Sequence, residues 1–187
     1  MQWTIPGTVL REPIENIAAL EEKFSAMFLA GGISLSQVAQ LTALEPYTVQ
    51  NWVKRGFLSP PVKKRYSLYQ LCRIININTL KSILPMDDIC GLLAYINGDL
   101  DDESDDLIDD ATLYFLFVRL AAVYQQTQNR VNYEERLEQA LQDYHEPLPG
   151  AKDRIKTVLK IMLTAWAAAR LRLQAEIMVQ SLKEQSE

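Results

Sequence analysis

The sequence is poor in the residues that build most catalytic and cofactor sites. It contains one histidine, His145, two cysteines, Cys72 and Cys90, and only seven glycines in 187 residues. A single histidine without evident partners does not predict a catalytic triad or a histidine metal site, and no glycine-rich phosphate-binding loop is present. Both cysteines lie in apolar helical patterns, which predicts buried thiols rather than a disulfide or a metal site. We therefore expect no enzyme activity, no metal and no cofactor.

Long hydrophobic runs are also missing. The interval between Lys160 and Arg170 encloses only nine uncharged residues, whereas a helix that spans a bilayer needs roughly 20. The N-terminus shows no basic segment followed by an apolar core, so no secretory signal is predicted. With 48% hydrophobic and 23% charged residues, the composition is that of a globular protein. We expect a cytoplasmic protein with no membrane partner.

Acidic residues are nearly absent from one part of an otherwise acidic chain. Between residues 33 and 84 there are seven Lys or Arg residues against one acid, Glu45, a net charge of +6. The whole chain has a net charge of −5, so the remainder holds −11. A basic segment inside an acidic chain indicates that one surface meets a polyanion while the rest stays solvated.

Long stretches without glycine or proline predict an all-α fold, and two short helices stand out within the basic segment. They are predicted at about 36–42 and 46–55. Ser34 is a suitable N-cap for the first helix, Pro46 suits the first position of the second, and Gly56 ends it. Two short helices joined by a tight turn are the pattern of a helix-turn-helix.

The second of these helices is amphipathic. Val49, Trp52 and Val53 can pack against the preceding helix, and the opposite face has groups that hydrogen-bond base edges and cations that neutralise phosphates. Because the second helix of a helix-turn-helix enters the major groove, this face is suited to DNA. A basic loop follows Pro60-Pro61 and can contact the phosphate backbone as a wing. The predicted DNA-binding residues are Tyr47, Thr48, Gln50, Asn51, Lys54, Arg55, Lys63, Lys64, Arg65 and Tyr66.

Within this set the residue types predict two roles. Tyr47, Gln50 and Asn51 are the candidates for contacts with base edges, because their side chains donate and accept hydrogen bonds. The cations are the candidates for contacts with phosphates, with Thr48 beside them at the helix N-terminus.

Residues 33–71 read ISLSQVAQLTALEPYTVQNWVKRGFLSPPVKKRYSLYQL. This interval resembles the winged-helix DNA-binding domain of the MerR family of bacterial transcription regulators. The matching elements are SQVAQLTAL in the first helix, PYTV at the start of the second, RGFLSPP at its exit and KRYSLY before the next helix. With a further helix pair at 68–84 and 86–97, the resemblance covers about residues 33–97. It implies binding to double-stranded DNA, a homodimer and a small-molecule effector of unspecified kind.

The chain departs from the MerR pattern at positions that contact DNA in the family. Typical members have an Arg followed by a Tyr in the second helix, both touching phosphates, where this chain has Gln50 and Asn51. The position after the Pro-Pro pair is often Arg in the family and is Val62 here. The three basic residues that follow Val62 would have to compensate.

A second resemblance is to a bacterial family of uncharacterised MerR-like proteins, a domain of unknown function common in Firmicutes. The similar stretches are LCRIININTLKSIL, DICGLLAYING and LDDESDDLIDD. This resemblance covers most of residues 15–145 and implies no particular activity.

An acidic segment, residues 99–110, has eight acids in twelve residues. It does not fit the pattern of a calcium-binding loop, so a solvated linker or a helix start is favoured. Asp109 and Asp110 suit the N-terminus of a helix that follows them. A metal-dependent enzyme that uses this segment is a rival interpretation, which requires the carboxylates to converge on a pocket.

Beyond the acidic segment, three helices are predicted at about 111–126, 133–144 and 151–183. The stretch 158–169 of the last helix is apolar almost all round, which calls for burial from several sides. It is either a dimer interface or the centre of the chain's own bundle. Core packing is favoured over a ligand pocket for the aromatic residues of this half, which are Tyr114, Phe115, Phe117, Tyr124 and Trp166.

These observations predict an all-α protein in four segments. An irregular arm (1–12) and a helix that Pro13 opens occupy residues 1–30, a MerR-like helix-turn-helix with a small wing residues 31–98, an acidic linker residues 99–110, and a helical dimerisation or effector domain residues 111–187. The predicted function is sequence-specific DNA binding in transcriptional control. The alternative is a protein-interaction adaptor that retains the winged-helix fold without binding DNA.

Overall fold

The computed structural model of the protein describes residues 2–100, 102–127 and 132–184, and it is mostly helical, as the sequence predicts. Within these ranges, short strands pair into two separate two-stranded antiparallel sheets. The strands are β1 (Gln2–Thr4), β2 (Arg11–Pro13), β3 (Ile33–Ser34) and β4 (Arg65–Tyr66). The helices are α1 (Leu20–Met27), α2 (Leu35–Thr42), α3 (Pro46–Lys54), α4 (Leu68–Leu80), α5 (Met86–Asn97), α6 (Asp110–Thr127), α7 (Tyr133–Ala140) and α8 (Ala151–Glu184), with 3-10 turns at Ile14–Ala19 and Glu103–Asp105. Parts of the predicted segments lie outside the described residues, namely residue 1, Asp101, 128–131 and 185–187.

The N-terminal residues form a β-hairpin, so the prediction of an irregular arm at 1–12 is wrong. β1 pairs with β2 in antiparallel register. Trp3 and Ile5 are buried whereas the residues between and before them are exposed, which is the alternation of a half-buried strand. The two strands have three residues each. An alternation this short is a weak signal in the sequence, and the neighbouring Pro6 and Gly7 favour an irregular segment.

The tip of this hairpin is docked against α4. Asn78 of α4 donates from its Nδ2 to the carbonyl oxygen of Gly7 at 2.9 Å and to that of Thr42 at 3.0 Å, and so joins the hairpin to the end of α2. There is no room for a side chain at the tip. A Cβ on Gly7 would lie 2.4 Å from the Oγ1 of Thr79 and 2.6 Å from the carbonyl oxygen of Ile75. The hairpin, α2 and α4 are therefore fixed to one another.

Helix α4 is the central element of the fold. Nine of its 13 residues are buried, and it packs against α6 and α8 as well as α2 and α5. Buried residues on both sides of the acidic segment thus belong to one continuous hydrophobic core. The domain boundary that the sequence predicts at 99–110 stays a prediction, and α4 and α6 pack together across it.

One face of the first half of α8 is buried within the chain's own bundle, whereas Ile161, Thr164 and Ala168 are exposed. Of the two alternatives for residues 158–169, the structure favours the bundle centre, because Val158, Met162 and Trp166 are buried against α5 and α6. From Arg170 to Glu184 every side chain is exposed. The helix has 34 residues, about 50 Å at the usual rise, yet no helix in the described ranges combines the length and apolar character that crossing a membrane requires.

The aromatic residues of the second half pack in the core, as predicted. Trp166 meets Phe117 and Tyr124 edge-on, with ring centroids 6.3 Å and 5.7 Å away. It also meets Trp3 of the N-terminal hairpin at 6.2 Å. Such edge-to-face pairs stabilise a core beyond the area they bury, and this cluster attaches the hairpin to α8.

The docked hairpin tip predicts a large cost for a side chain at Gly7. Gly7→Ala should lower the free energy of unfolding by roughly 2–4 kcal/mol, because it adds a steric clash to a left-handed backbone with φ of 72°. Gly31→Ala is the matched control, with φ of 85° and open space around its Cβ, and should lose only the backbone part, roughly 1–2 kcal/mol. Urea denaturation measures both variants, and equal losses would contradict the docking.

Candidate nucleic-acid interface

Local hydrogen bonds fix the ends of α2 and the start of α3. Ser34 and Gln37 form a capping box at the start of α2. The backbone N–H of Gln37 donates to the Ser34 Oγ at 3.3 Å, and the backbone N–H of Ser34 donates to the Gln37 Oε1 at 2.8 Å. Ala43 ends α2 in the left-handed conformation, with φ of 54°. Pro46 then occupies the first turn of α3, where its missing N–H is no loss. The turn between the helices is therefore short and well defined.

Helix α3 buries one face and exposes the other. Val49 and Trp52 are buried, and they hold the helix against the core. Tyr47 is 74% exposed. The exposed or half-buried residues of the predicted set on this helix and at its end are Tyr47, Thr48, Gln50, Asn51, Lys54 and Arg55. The structure thus brings the predicted polar face together on one surface, with Thr48 and Asn51 less accessible than the others.

A tight turn at residues 62–65, named here the basic turn, follows the Pro-Pro loop. The Arg65 amide donates to the carbonyl oxygen of Val62 at 2.9 Å, and these two residues form an antiparallel bridge. The two residues between them, Lys63 and Lys64, have φ of 49° and 63°. Positive φ at both central positions is the requirement of a type I′ hairpin turn, which favours Asn-Gly. Two lysines therefore occupy a turn whose backbone they fit poorly.

The basic turn is anchored at its base by β4. This strand pairs with β3, and the Nη1 of Arg65 donates to the carbonyl oxygen of Gly32 at 2.9 Å while the side chain stays exposed. The Pro-Pro loop is held by Gln70, whose Nε2 donates to the carbonyl oxygens of Ser59 and Pro60 at 3.0 Å and 3.1 Å. The lysine side chains thus extend from a supported turn.

Tyr66 does not belong to this surface, and its place in the predicted site is corrected. Only 2% of the residue is exposed, and it is paired in β4 opposite Ile33. Desolvation raises the pKa of its phenol. The alternation along the strand explains the error, because Arg65 faces solvent and the next side chain must face the core.

Arg73 is a residue of this region to which the sequence analysis assigned no role. Its Nε donates to the carbonyl oxygen of Phe57 at 3.0 Å, just after α3, and its Nη1 donates to the Oδ2 of Asp110 at 3.1 Å. Both charged side chains are buried. Burial raises the pKa of Asp110, and Arg73 opposes that shift. Arg73 is the one charged residue of α4, and this signal does not reveal a partner 37 residues away.

The remaining cations of the predicted site are available to an anionic ligand. Lys54, Arg55, Lys63, Lys64 and Arg65 are exposed. In the part of the chain that the structure describes, none of them is ion-paired with a carboxylate. The guanidinium of Arg55 lies over the ring of Phe57, 4.4 Å from its centroid, which orients it without neutralising it.

The carboxylates of the acidic segment mainly cap local structure. Asp109 accepts from the amides of Ala111 and Thr112 at 2.9 Å and so caps α6, and Asp105 accepts from the Asp99 amide at 2.9 Å. Among the described residues no group of three or more His, Cys, Asp or Glu side chains is arranged to hold a metal ion. Four carboxylates of the segment line one groove without forming such a group, and the rival interpretation as a metal-dependent enzyme stays a prediction; they are Asp99, Asp106, Asp109 and Asp110.

Of the two thiols that the sequence predicts to be buried, Cys72 is buried and Cys90 is only half-buried. His145 is exposed, with its Nδ1 3.0 Å from the carbonyl oxygen of Asp143. Both cysteines are free thiols. Burial raises the pKa of each thiol, which disfavours the reactive thiolate.

The chain belongs to a family defined by a domain of unknown function, DUF1836, whose profile matches residues 20–117, just over half of its length. The match extends from the start of α1 to the middle of α6 and includes α3, the basic turn and the acidic segment. The second resemblance seen in the sequence, to a bacterial domain family of unknown function, agrees with this membership.

A curated relative is the uncharacterised protein YkrK of Bacillus subtilis (strain 168), which is 31% identical to the chain over 86 residues. The match covers 44% of this chain and 37% of the relative, so the chain spans little more than a third of that protein. No solved structure matches the chain.

The geometry of the basic turn predicts that its two lysines reduce stability. The double change Lys63→Asn with Lys64→Gly should raise the free energy of unfolding by about 1–2 kcal/mol, because Asn-Gly adopts the positive φ angles without strain. Lys63→Ala with Lys64→Ala is the control, since it removes the same charges and retains the strain; it should stay within about 0.5 kcal/mol of the unchanged protein. If the Asn-Gly variant is no more stable than the Ala-Ala variant in urea, the turn is not strained.

Proposed function

We propose that the protein is a sequence-specific DNA-binding transcription regulator with a MerR-like winged-helix domain. In this proposal α3 is the recognition helix, the basic turn is the wing, and the protein acts in the cytoplasm without enzymatic activity. The strongest support is the Lys63-Lys64 pair in a turn that disfavours it. Strained backbone tends to persist where function requires it.

The placement of α3 supports entry into the major groove. It is the second of two helices joined by a short turn, the arrangement in which such a helix reads base edges. Its exposed face has a tyrosine and an amide side chain, Tyr47 and Gln50, at the accessible positions. Amide side chains pair well with adenine, through its N6 and N7. We assign base contacts to these two residues first and to the half-buried Asn51 second.

The basic turn supports contacts with phosphates. Lys63 and Lys64 lie between the two bridged residues Val62 and Arg65, so both lysines are exposed at the tip of one narrow turn. Each lysine on a phosphate releases condensed counterions and contributes affinity without reading sequence. Together with contacts from Arg65, Lys54 and Arg55, the lysine contacts take the place of the phosphate contacts that typical MerR members make through an Arg and a Tyr. This chain has Gln50 and Asn51 at those two positions.

One observation favours the alternative of a protein-interaction adaptor. Lys63 and Arg65 share a groove with Asp99, Asp106 and Asp109. Acids close to the basic turn weaken the positive potential that attracts DNA. A protein partner with both basic and acidic side chains would bind this mixed surface more favourably than a polyanion would.

We also propose a homodimer that forms through the exposed half of α8. Leu171, Met178 and Leu182 are 65%, 62% and 64% exposed. Together with Ala175 they recur at spacings of four, three and four residues, which is the seam of a coiled coil. A second copy of the chain would cover this stripe, and a dimer would present two α3 helices to successive turns of DNA.

Selection from a random pool of duplex DNA with the full chain tests the proposed function. We expect enrichment of one sequence, bound about a thousandfold more tightly than a shuffled duplex at the same salt concentration. Absence of enrichment would overturn the proposal of a sequence-specific DNA-binding regulator and would favour the protein-interaction adaptor.

The contribution of the basic turn is measured with the selected duplex. Lys63→Ala with Lys64→Ala should weaken binding and make the slope of log affinity against log salt less steep by about two units, because each phosphate contact contributes about 0.9. Arg136→Ala with Lys183→Ala removes the same charge from exposed positions on α7 and α8 and should leave the slope unchanged. Both variants are measured by fluorescence anisotropy. Equal changes of the salt slope in the two double variants would contradict the role of the basic turn as a wing.

The proposed dimer is tested by sedimentation velocity at micromolar concentration. Met178→Glu places a charge in the stripe and should shift the protein from dimer to monomer, because an unpaired buried charge is costly. Gln180→Glu adds the same charge on the opposite side of the helix and should leave the dimer intact. A monomeric unchanged protein would contradict the interface.

A further inference from the structure

A large groove separates the basic turn from the acidic segment. Its volume is about 1220 Å³, somewhat above the range of pockets that enclose drug-sized ligands, about 300–1,000 Å³. One wall comes from the basic turn and the first turn of α4. The other comes from the end of α5, Asp99, Leu100, residues 106–110 and Thr112. The groove therefore lies between the proposed DNA-binding unit and the helices that follow it.

The floor of the groove has hydrogen-bond acceptors without donors. Asp110 and Asn97 are 9% and 5% exposed and both line the groove. The Oδ1 of Asp110 and the Oδ1 of Asn97 have no hydrogen-bond partner among the described residues. A buried acceptor without a donor destabilises the protein. A compact donor group that enters from the groove would satisfy them.

The charges of the groove favour a cationic donor at the floor. Arg73 is already used by Phe57 and Asp110, and Arg65 and Lys63 lie at the rim beside the basic turn. Beyond Asp110, the wall opposite them contains Asp99, Asp106 and Asp109. This wall is therefore negative and favours a cation on its own side of the groove.

The groove also offers apolar surface for the body of a ligand. Phe28, Leu68, Tyr69, Leu107 and Tyr144 line it. Tyr69 is 52% exposed, so its ring is free to cover an apolar or aromatic group. These side chains give a ligand apolar contact beside the polar and charged groups of the same groove.

We propose that this groove binds a small organic amine, with its ammonium group at Asp110 and Asn97 and its apolar body against Tyr69. The site goes beyond the proposed DNA binding and does not depend on it. Its floor is joined to α3, because Arg73 contacts Asp110 on one side and the carbonyl oxygen of Phe57 on the other. An amine that draws Asp110 from Arg73 changes the support of the α3 exit.

The test is an NMR titration of the ¹⁵N-labelled full chain without DNA, using 2-phenylethylammonium as the probe. Two probes of the same shape serve as controls, neutral 2-phenylethanol and anionic 3-phenylpropionate. The amine should shift the amides of Asn97 and Asp110 and saturate, while neither control saturates over the same range. No saturation by the amine, or equal binding of the alcohol, would overturn the amine site.

A pair of charge-removing variants locates the binding. Asp106→Asn removes a charge from the wall of the groove and should weaken binding of the amine about two- to fivefold, the effect of a partly exposed charge. Asp88→Asn removes an exposed charge of α5 that does not line the groove and should leave the affinity unchanged. Equal weakening by both variants would mean that the probe responds to net charge, and it would overturn the assignment to the groove.

Discussion

The buried ion pair of Arg73 and Asp110 joins the parts of the structure on which the function depends. Arg73 lies on the central helix α4, Asp110 begins α6, and the same guanidinium contacts the carbonyl oxygen that follows α3. Removal of one partner from a buried ion pair typically lowers the free energy of unfolding by about 3–5 kcal/mol, because the other charge is left buried and unpaired. We therefore expect a substitution of one residue to be tolerated only with a substitution of the other. The position of α3 is thus coupled to the helical bundle through one side chain, and the proposed amine site lies directly above that coupling.

Two of the three non-glycine residues with positive φ in the described ranges lie side by side in the basic turn, and the third, Ala43, ends α2. Capping boxes, the docked hairpin and the aromatic cluster at Trp166 stabilise the scaffold, whereas backbone strain is placed at Lys63 and Lys64 on the surface. A turn selected for stability alone would contain Asn-Gly. The lysines are explained if their charge contributes to binding a polyanion, as the proposed function requires.

Much of the local structure could be predicted from the sequence, because its signals are local. Ser34 and Pro46 predicted the starts of α2 and α3 to within a residue, and the polar face of α3 followed from helical spacing. Contacts between distant residues could not be predicted. The hairpin at Trp3 is stabilised by α4 and α8, Tyr66 is turned inward by its strand pairing, and Arg73 finds its partner only when α4 packs against α6. The acceptors of the groove are likewise a product of tertiary packing.

The central claim is that the basic turn is retained for binding at the expense of stability. Its most direct test is the affinity of the Lys63→Asn, Lys64→Gly variant for the selected duplex, measured by anisotropy at fixed salt. This variant, although more stable, should bind DNA at least about tenfold more weakly, the loss expected when two phosphate contacts disappear. Affinity equal to that of the unchanged protein would mean that the strained lysines have no role in binding.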